Sequence, residues 1–341
     1  MESVRKMMKM RKISKQVWAV VLAAALLFTC VPAFAAEITI RIGSIVSDAH
    51  VDMIAMREVF VPEIEEASNG RIRVELFPNA QLGGDRELTE AVQLGTLHMA
   101  IPASSPLAGF ERRIQVLDLP YLFTSREAAF AALDGELGQK LNEYLMDAGF
   151  WNLGFKENGI RHITNNRSPI RSPEDMSGLR IRTMENPMHL AYFRELGANP
   201  TPMSWGELYT ALQQGVVDAQ ENPFVMIYDG RFYEVQRYLS ETGHFFSAKL
   251  FIANRNFIEN LPEDLREIVI RAGHNASLAQ RRLSAERESE FKARLLENGM
   301  QLNALTEDEL APFMAAAERV YEQFENILGN EIMDIVRRLQ Q

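Results

Sequence analysis

The fold is decided by residues 178–223, GLRIRTMENPMHLAYFRELGANPTPMSWGELYTALQQGVVDAQENP. Apolar and basic residues alternate over Leu179–Met184, which is the period-two pattern of a half-buried strand. Apolar residues then recur at helical spacing as far as Leu196, and Gly197 follows where a helix is expected to stop. The first half of the stretch therefore predicts a strand followed by a helix.

A second helix and a returning strand complete the stretch. Residues 204–207, SWGE, have the pattern of a capping box, in which the serine hydroxyl and the glutamate side chain cap each other's backbone amides. Gly215 closes the predicted helix. A short strand is predicted at Val216–Asp218, and a polar exit turn at Ala219–Pro223.

Two polar residues stand where these strands end. Arg182 lies where the first strand turns into a helix, and Asn222 lies at the end of the returning strand. Ligands of open α/β sheets bind at such carboxyl ends of strands. Most strand arginines are surface residues, but a guanidinium in this position can bind a carboxylate through two parallel hydrogen bonds.

Helices and strands alternate along most of the remaining chain, which predicts a parallel or mixed sheet covered by helices. We expect an edge-forming first strand at Ile38–Gly43, a turn at Asn158-Gly159, and a helix from Pro223 to Leu239. The segment His244–Asn254 is predicted as a strand that crosses back into the first domain. From Pro262 onward the pattern is almost entirely helical.

These expectations give a two-domain α/β protein whose cleft closes by hinge bending. The first domain takes residues 37–158 plus 248–341, and the second takes residues 159–247. The alternative left open is that part of the long C-terminal helical region packs on the second domain.

Composition narrows the class of protein further. The 341 residues are 47% hydrophobic and 24% charged, as in a soluble globular protein, and the formal net charge is −10. A chain this acidic is not suited to hold nucleic acid or an anionic membrane by general attraction. Any anionic ligand must therefore be held by local cations.

Residues 1–36 have the pattern of a secretory signal. A basic start precedes an apolar run from Val17 to about Phe28, and residues 33–35, AFA, form a small-residue cleavage site. An uncleaved membrane anchor is the alternative, because the uncharged run is about as long as a membrane span. Cys30 fits a lipoprotein signal poorly. We expect a periplasmic protein that carries no cysteine after cleavage at Ala35.

At this point a family resemblance becomes specific. The stretch at 178–223 resembles the solute-binding proteins of TRAP (tripartite ATP-independent periplasmic) transporters: a basic-x-R strand, then GA-x-P-x-P-M, an aromatic residue, E-x-Y-x-A-L-Q and V-D-x-Q-E-N-P, with Ala219 in place of the usual glycine. The likeness extends over nearly the whole chain after the signal. It is carried further by Gln81–Arg86, Leu119–Phe123, Asn158–Arg161 and Phe232–Gln236.

The resemblance implies a periplasmic-binding-protein-like fold with a ligand cleft between its two domains. It also implies a small organic carboxylate as ligand and the membrane subunits of a TRAP transporter as partner. Nothing in the sequence indicates an obligate dimer, so we expect a monomer. The family's carboxylate-clamping arginine falls on Arg182, a second arginine on Arg161, and an amide ligand on Asn222. Trp205 takes the place of the ring-stacking aromatic, with a core tryptophan as the alternative, and Asp85 is placed at the cleft.

The chain departs from the sialic-acid-binding branch at several positions that the resemblance places in the site. Where that branch has an asparagine and an acidic–arginine pair, this chain has Ile45, Ala103 and Pro106. Where that branch has an asparagine and a glutamine side chain, this chain has Glu185 and Lys249. A site without partners for buried hydroxyls rejects them. We therefore expect a smaller or more apolar acid, such as a keto or aromatic acid. Lys249 would alternatively serve a second carboxylate, or be a surface lysine.

No enzyme signature accompanies these residues. The sequence has no G-x-S-x-G, H-E-x-x-H, Walker or dinucleotide motif, and its six histidines show no metal-ligand spacing. The run Asp48-x-His50-x-Asp52 is better explained as a helix N-cap with exposed polar neighbours. We expect a binding protein without cofactor or metal. The alternatives are a periplasmic sensing partner of a membrane receptor and, with less support, a hydrolase or lyase.

Overall fold

The computed structural model describes residues 36–123 and 125–340, together with residues 3 and 7. Ile38–Gln341 form one compact unit, and the division into domains at 37–158, 159–247 and 248–341 stays a prediction. The predicted signal lies almost wholly outside the described residues. Within the part of the chain that is described, no helix combines the length and apolarity needed to cross a bilayer.

Within the described residues, a mixed sheet of nine strands forms the centre of the protein. The nine strands are β1 (Ile38–Gly43), β2 (Ile72–Phe77), β3 (Met99–Ala100), β4 (Phe150–Asn165), β5 (Arg180–Thr183), β6 (Asn199–Pro202), β7 (Ala219–Asn222), β8 (Tyr238–Asn254) and β9 (Gln301–Ala304). Their order across the sheet is β2-β1-β3-β8-β4-β7-β5-β6, with β9 pairing alongside β8. The strands β1, β2 and β3 run parallel, as do β5, β6 and β7.

Helices cover this sheet. The α-helices are α1 (Val51–Ala55), α2 (Val61–Ala67), α3 (Asp85–Gln93), α4 (Ser104–Leu107), α5 (Arg126–Asp134), α6 (Glu136–Asp147), α7 (Pro187–Glu195), α8 (Trp205–Gln213), α9 (Phe224–Asp229), α10 (Arg255–Asn260), α11 (Glu263–Glu297), α12 (Glu307–Leu328) and α13 (Asn330–Leu339). A π-helical turn joins α1 to α2, and 3-10 turns lie at Arg112–Asp118, Pro173–Met176 and Phe232–Glu234. The predicted α/β class and long C-terminal helices are confirmed.

Two long strands join the halves of the sheet. Strands β4 and β8 pair antiparallel from one end to the other, with three register shifts along the way. One shift lies at Asn158, next to Gly159, whose φ of 121° is left-handed backbone that favours glycine. The predicted Asn158-Gly159 turn is therefore wrong: the same dipeptide chemistry produces a β-bulge inside a continuous strand.

The local chemistry of the central stretch explains its helices. Asn186 caps α7, its side chain accepting from the Met188 amide at 2.8 Å, and Pro187 follows at the first helical position. The capping box predicted at α8 is confirmed, since the Glu207 carboxylate accepts from the Ser204 amide at 3.3 Å. Helix α7 packs against β5 and β6, whereas the apolar face of α8 is buried in a cluster that includes Phe224 and Phe232.

Several predicted boundaries are wrong for identifiable reasons. The helix after Pro223 ends at Asp229, not Leu239, because Gly230 is followed by Arg231 in a left-handed conformation with φ of 54°. Strand β8 consequently starts earlier than expected. Strand β1 is flanked on both sides and is not an edge strand, although β3 pairs only with its last two residues.

The returning strand of the central stretch also differs from expectation. It is β7 rather than Val216–Asp218, and three of its four residues, Gln220, Glu221 and Asn222, are polar yet buried. Apolar periodicity does not detect such a strand, since buried polar groups are stabilised by hydrogen bonds instead. Strand β6 was missed altogether because two of its four residues are prolines, which confine it to the sheet edge.

Candidate functional site

A cavity lies where the carboxyl ends of the parallel strands converge on the middle of β4 and β8. It encloses about 440 Å³, part of it open to solvent. Its walls are Ile45, Asp85, Ala103, Pro106, Asn158, Arg182, Met184, Glu185, Met203, Ser204, Trp205, Asn222, Met226 and Lys249. This is the location expected for a ligand of an open α/β sheet.

The structure brings six of the seven predicted site residues into this wall: Asp85, Arg182, Glu185, Trp205, Asn222 and Lys249. The seventh, Arg161, does not line the cavity. The three residues singled out as apolar replacements, Ile45, Ala103 and Pro106, line it as well. The sequence analysis did not select five further lining residues: Asn158, Met184, Met203, Ser204 and Met226. The first four lie inside the quoted motif segments, and Met226 lies three residues after Pro223.

Arg182 is a buried cation in the cavity wall. Its side chain is 3% exposed, and its Nε donates to the carbonyl of Met203 at 2.9 Å. No salt bridge to an acid is formed within the described residues. Burial lowers the pKa of Arg182 to about 10, with the charge of Glu221 opposing the shift, so the guanidinium stays cationic at neutral pH. The site therefore offers an unpaired positive charge to a ligand.

Arg161 lies behind the wall in a buried ion pair with Glu221. Its Nε donates to Glu221 Oε2 at 2.5 Å and its Nη2 to Oε1 at 2.8 Å. The same Nη2 donates to Asn222 Oδ1 at 3.1 Å, which fixes the amide that lines the cavity. Its Nη1 has no hydrogen-bond partner within the described residues.

The Glu221 carboxylate is held ionised. Burial on its own would raise its pKa, but Arg161 and the rings of His189 and His244 hold the pKa well below the usual range. His244 Nε2 lies 3.1 Å from Glu221 Oε2. We call Arg161, Glu221, His189 and His244 the buried cluster under β7; its hydrogen bonds and charges hold the Glu221 side chain of that strand.

Lys249 is buried in the wall and is not a surface lysine. Its Nζ donates to Asp52 Oδ2 at 2.6 Å, and both side chains are almost completely buried. Burial on its own would raise the pKa of Asp52, but Lys249 and His50 hold it far below its usual value. The N-cap predicted within the run Asp48-x-His50-x-Asp52 is confirmed and is His50, whose ring accepts from the Asp52 amide at 3.1 Å. The expectation of exposed polar residues in this run is wrong for His50 and Asp52, which are both buried.

Asp85 is the acid at the start of α3. Its Oδ2 accepts from the Ala103 amide at 3.2 Å, whereas its Oδ1 has no hydrogen-bond partner among the described residues. Burial raises the pKa of Asp85 to about 6, with Lys249 opposing the shift. Asn158 also lines the cavity; it donates to the Ser247 hydroxyl at 3.1 Å, and its Oδ1 likewise has no partner among the described residues.

Trp205 is partly buried, and its stacking on a ligand stays a prediction. It lines the cavity, and its ring packs against Phe232 with a centroid distance of 5.2 Å. The loop after β1 is fixed nearby, because the Ser47 amide donates to Asp229 Oδ2 at 3.1 Å and the Ser47 hydroxyl donates to the same carboxylate. No cluster of three potential metal-ligating side chains occurs within the described residues.

The buried ring of His162 predicts acid-sensitive stability. It stacks on Phe224 at 4.5 Å and its Nδ1 accepts from the Gly243 amide. Burial lowers its pKa from 6.5 to about 3, with nearby basic groups acting in the same direction. Stability from the neutral ring is therefore complete above pH 6.5 and lost as the pH falls towards 3, by up to about 1.4 kcal/mol per pH unit.

The change that tests this is His162→Gln, which keeps a hydrogen-bond acceptor and removes the titration. Urea unfolding at a series of pH values should show a shallower fall of the free energy of unfolding below pH 6.5 than in the wild type. Equal slopes for the two proteins would contradict this assignment.

Comparison with known proteins is consistent with the geometry. The family model described as bacterial extracellular solute-binding protein, family 7, matches residues 42–327. A solute-binding protein of Verminephrobacter eiseniae is 37% identical over 306 residues, which are 90% of each chain.

Two solved structures have the same fold. A TRAP periplasmic solute-binding protein from Polaromonas sp. JS666, bound to D-erythronate, is 33% identical with a TM-score of 0.84, covering 89% of this chain and 98% of its own. One from Sulfurospirillum deleyianum, with bound succinate, is 33% identical with a TM-score of 0.84, covering 90% of this chain and 99% of its own. The predicted periplasmic-binding-protein-like fold is confirmed.

Proposed function

Because the chain belongs to family 7 of the bacterial extracellular solute-binding proteins, we propose that its cavity binds the carboxylate of a small organic acid and that Arg182 orients it. The chain is a solute receptor of the TRAP class, as its sequence motifs predicted. The observation that carries the proposal is the buried guanidinium of Arg182, which lines the cavity without an acid partner among the described residues.

The energetics favour an anionic ligand at this point. A buried unpaired charge is costly, and an incoming carboxylate removes that cost while accepting charge-assisted hydrogen bonds. Each such bond contributes about 1.5–3 kcal/mol. Since Nε of Arg182 is held by Met203, the two Nη groups are left to form a fork that fits one carboxylate.

The neighbouring residues have supporting roles in this proposal. The amide of Asn222, held from behind by Arg161, donates to the acid beside the guanidinium. Trp205 covers the carbon skeleton. Lys249, Asp85 and Glu185 contact the remainder of the ligand. Arg161 acts through Asn222 and is a positioning residue.

Transport follows from capture. The two domains close on the acid because contacts with both walls are made only in the closed form. The family works with TRAP membrane subunits, and we propose that this receptor delivers its acid to such subunits from the periplasm after cleavage of its signal at Ala35. The cavity is a binding site and performs no reaction on the acid.

A thermal-shift screen of residues 36–341 against organic acids tests the proposal. A ligand that binds only the native state raises the melting temperature as its concentration increases. We expect a rise with at least one carboxylic acid and none with the corresponding alcohol or amide. Shifts that do not distinguish acids from neutral analogues would contradict the proposal, and conversion of the acid during incubation would favour the enzyme alternative.

A further inference from the structure

If the cavity binds an organic acid, as proposed above, its lining also indicates the chemical class of that acid. We infer that the cavity selects a short hydroxylated monocarboxylate over a dicarboxylate. Three features of the wall carry this inference: the pairing of its cations, the position of its acids, and the acceptor oxygens left without a donor.

Of the two cations among the described residues that line the cavity, Arg182 is available to neutralise a ligand carboxylate and Lys249 is not. Lys249 is the second cation of the cavity, but its ammonium group is already neutralised by Asp52 at 2.6 Å. Arg182 forms no salt bridge within the described residues and is left to neutralise one carboxylate. A second carboxylate would have to compete with Asp52 for Lys249, in a pair that is almost fully buried on both sides.

The remaining charges of the wall oppose a second carboxylate. Asp85 and Glu185 both line the cavity, and both act electrostatically on Arg182. A carboxylate beside either acid meets a like charge in a partly desolvated space, where repulsion is strong. A ligand of charge −1 pairs with Arg182 and places no second negative charge beside Asp85 or Glu185.

Two acceptor oxygens of lining residues favour a ligand that carries hydroxyl donors. Asp85 and Asn158 both line the cavity, and their buried Oδ1 atoms have no hydrogen-bond partner among the described residues. Buried acceptors are normally satisfied, and a carboxylate or keto oxygen has no proton to give them. A ligand hydroxyl donates to either, and the free protons of Lys249 can in turn donate to that hydroxyl oxygen.

The apolar walls limit how many hydroxyl groups fit. The side chains of Ile45, Ala103, Pro106 and the three methionines of the lining are apolar. A short acid whose one or two hydroxyl groups donate to Asp85 and Asn158 leaves no further hydroxyl group against these apolar side chains.

Calorimetry with acids of matched chain length tests this class. The probes are D-erythronate as the hydroxylated monocarboxylate, succinate as the dicarboxylate and butyrate as the monocarboxylate without hydroxyl groups. We expect D-erythronate to bind at least about tenfold more tightly than either of the others. Pantoate serves as a second hydroxylated monocarboxylate.

The matched variants are Asp85→Asn and, on the exposed face of the same helix, Glu90→Gln. Asp85→Asn should weaken D-erythronate at least about tenfold and leave succinate equal or stronger, so that the preference collapses. Glu90→Gln removes the same charge outside the cavity and should reproduce the wild type. An Asp85→Asn protein that keeps the wild-type preference would overturn the inference.

Different results would overturn the inferred class of acid and the proposed acid-binding function. Succinate bound more tightly than both hydroxylated acids, with binding still lost in Arg182→Ala, would overturn the inference and leave the proposed function standing. Failure of D-erythronate and pantoate to bind the wild type would also overturn the inference. Acid binding that does not depend on Arg182 would overturn the proposed role of the site itself.

Discussion

Arg182→Ala is expected to bind the organic acid at least about a hundredfold more weakly than the wild type, a loss of about 2.7 kcal/mol or more. The substitution removes the cation that we propose orients the carboxylate, together with both hydrogen bonds of its fork. The protein should remain folded, because the one hydrogen bond that the Arg182 side chain makes to described residues goes to the Met203 carbonyl. Calorimetry on the folded variant measures the effect.

Arg180→Ala is the matched control. Arg180 lies on the same strand, but it is exposed and pairs with Asp218, its Nε lying 2.9 Å from Asp218 Oδ2. Its removal deletes an equal charge from β5 without touching the cavity, so affinity should stay within about twofold of the wild type. Similar losses in the two variants would show that general charge, and not the clamp, holds the acid.

Arg161→Ala should be the most destabilising of the single substitutions considered. It leaves Glu221 ionised and buried without its main partner, and removing one member of a buried pair costs about 3–5 kcal/mol. The free energy of unfolding, measured in urea, should fall by that amount. Glu221→Gln should be destabilising too, because it leaves the guanidinium of Arg161 buried without a counter-charge.

An exposed ion pair provides the comparison. Arg319 pairs with Glu195 at 2.6 Å on the surface, and Arg319→Ala should cost no more than about 1 kcal/mol. If Arg161→Ala were as mild as this control, the buried cluster under β7 would not be the structural support that we describe. Affinity of any Arg161 variant that stays folded would then report directly on the position of Asn222.

The strongest sequence signals indicated residues that the structure brings into one cavity wall. Arg182 was singled out by its place at a strand end, and it lies in the cavity wall. The helix α8 was predicted from a capping box whose hydrogen bonds are present. Both signals are local: strand ends and caps depend on a few neighbouring residues, so they survive folding unchanged.

What sequence reasoning could not supply depends on distant partners. The ion pair of Lys249 with Asp52 joins residues far apart in the chain, and no spacing rule predicts it. The same holds for Arg161, which the family resemblance placed near the ligand and which the structure places behind Asn222. Strand β7 was misplaced because its buried residues are polar, and their burial becomes favourable only once Arg161 and the histidines surround Glu221.

The central claim is that one buried guanidinium neutralises and orients the acid. A crystal structure of residues 36–341 with a bound organic acid tests it most directly. The account predicts both carboxylate oxygens within hydrogen-bonding distance of the Nη atoms of Arg182, with the Asn222 amide beside them. An acid whose carboxylate binds elsewhere, with the guanidinium of Arg182 making no contact to it, would contradict the account.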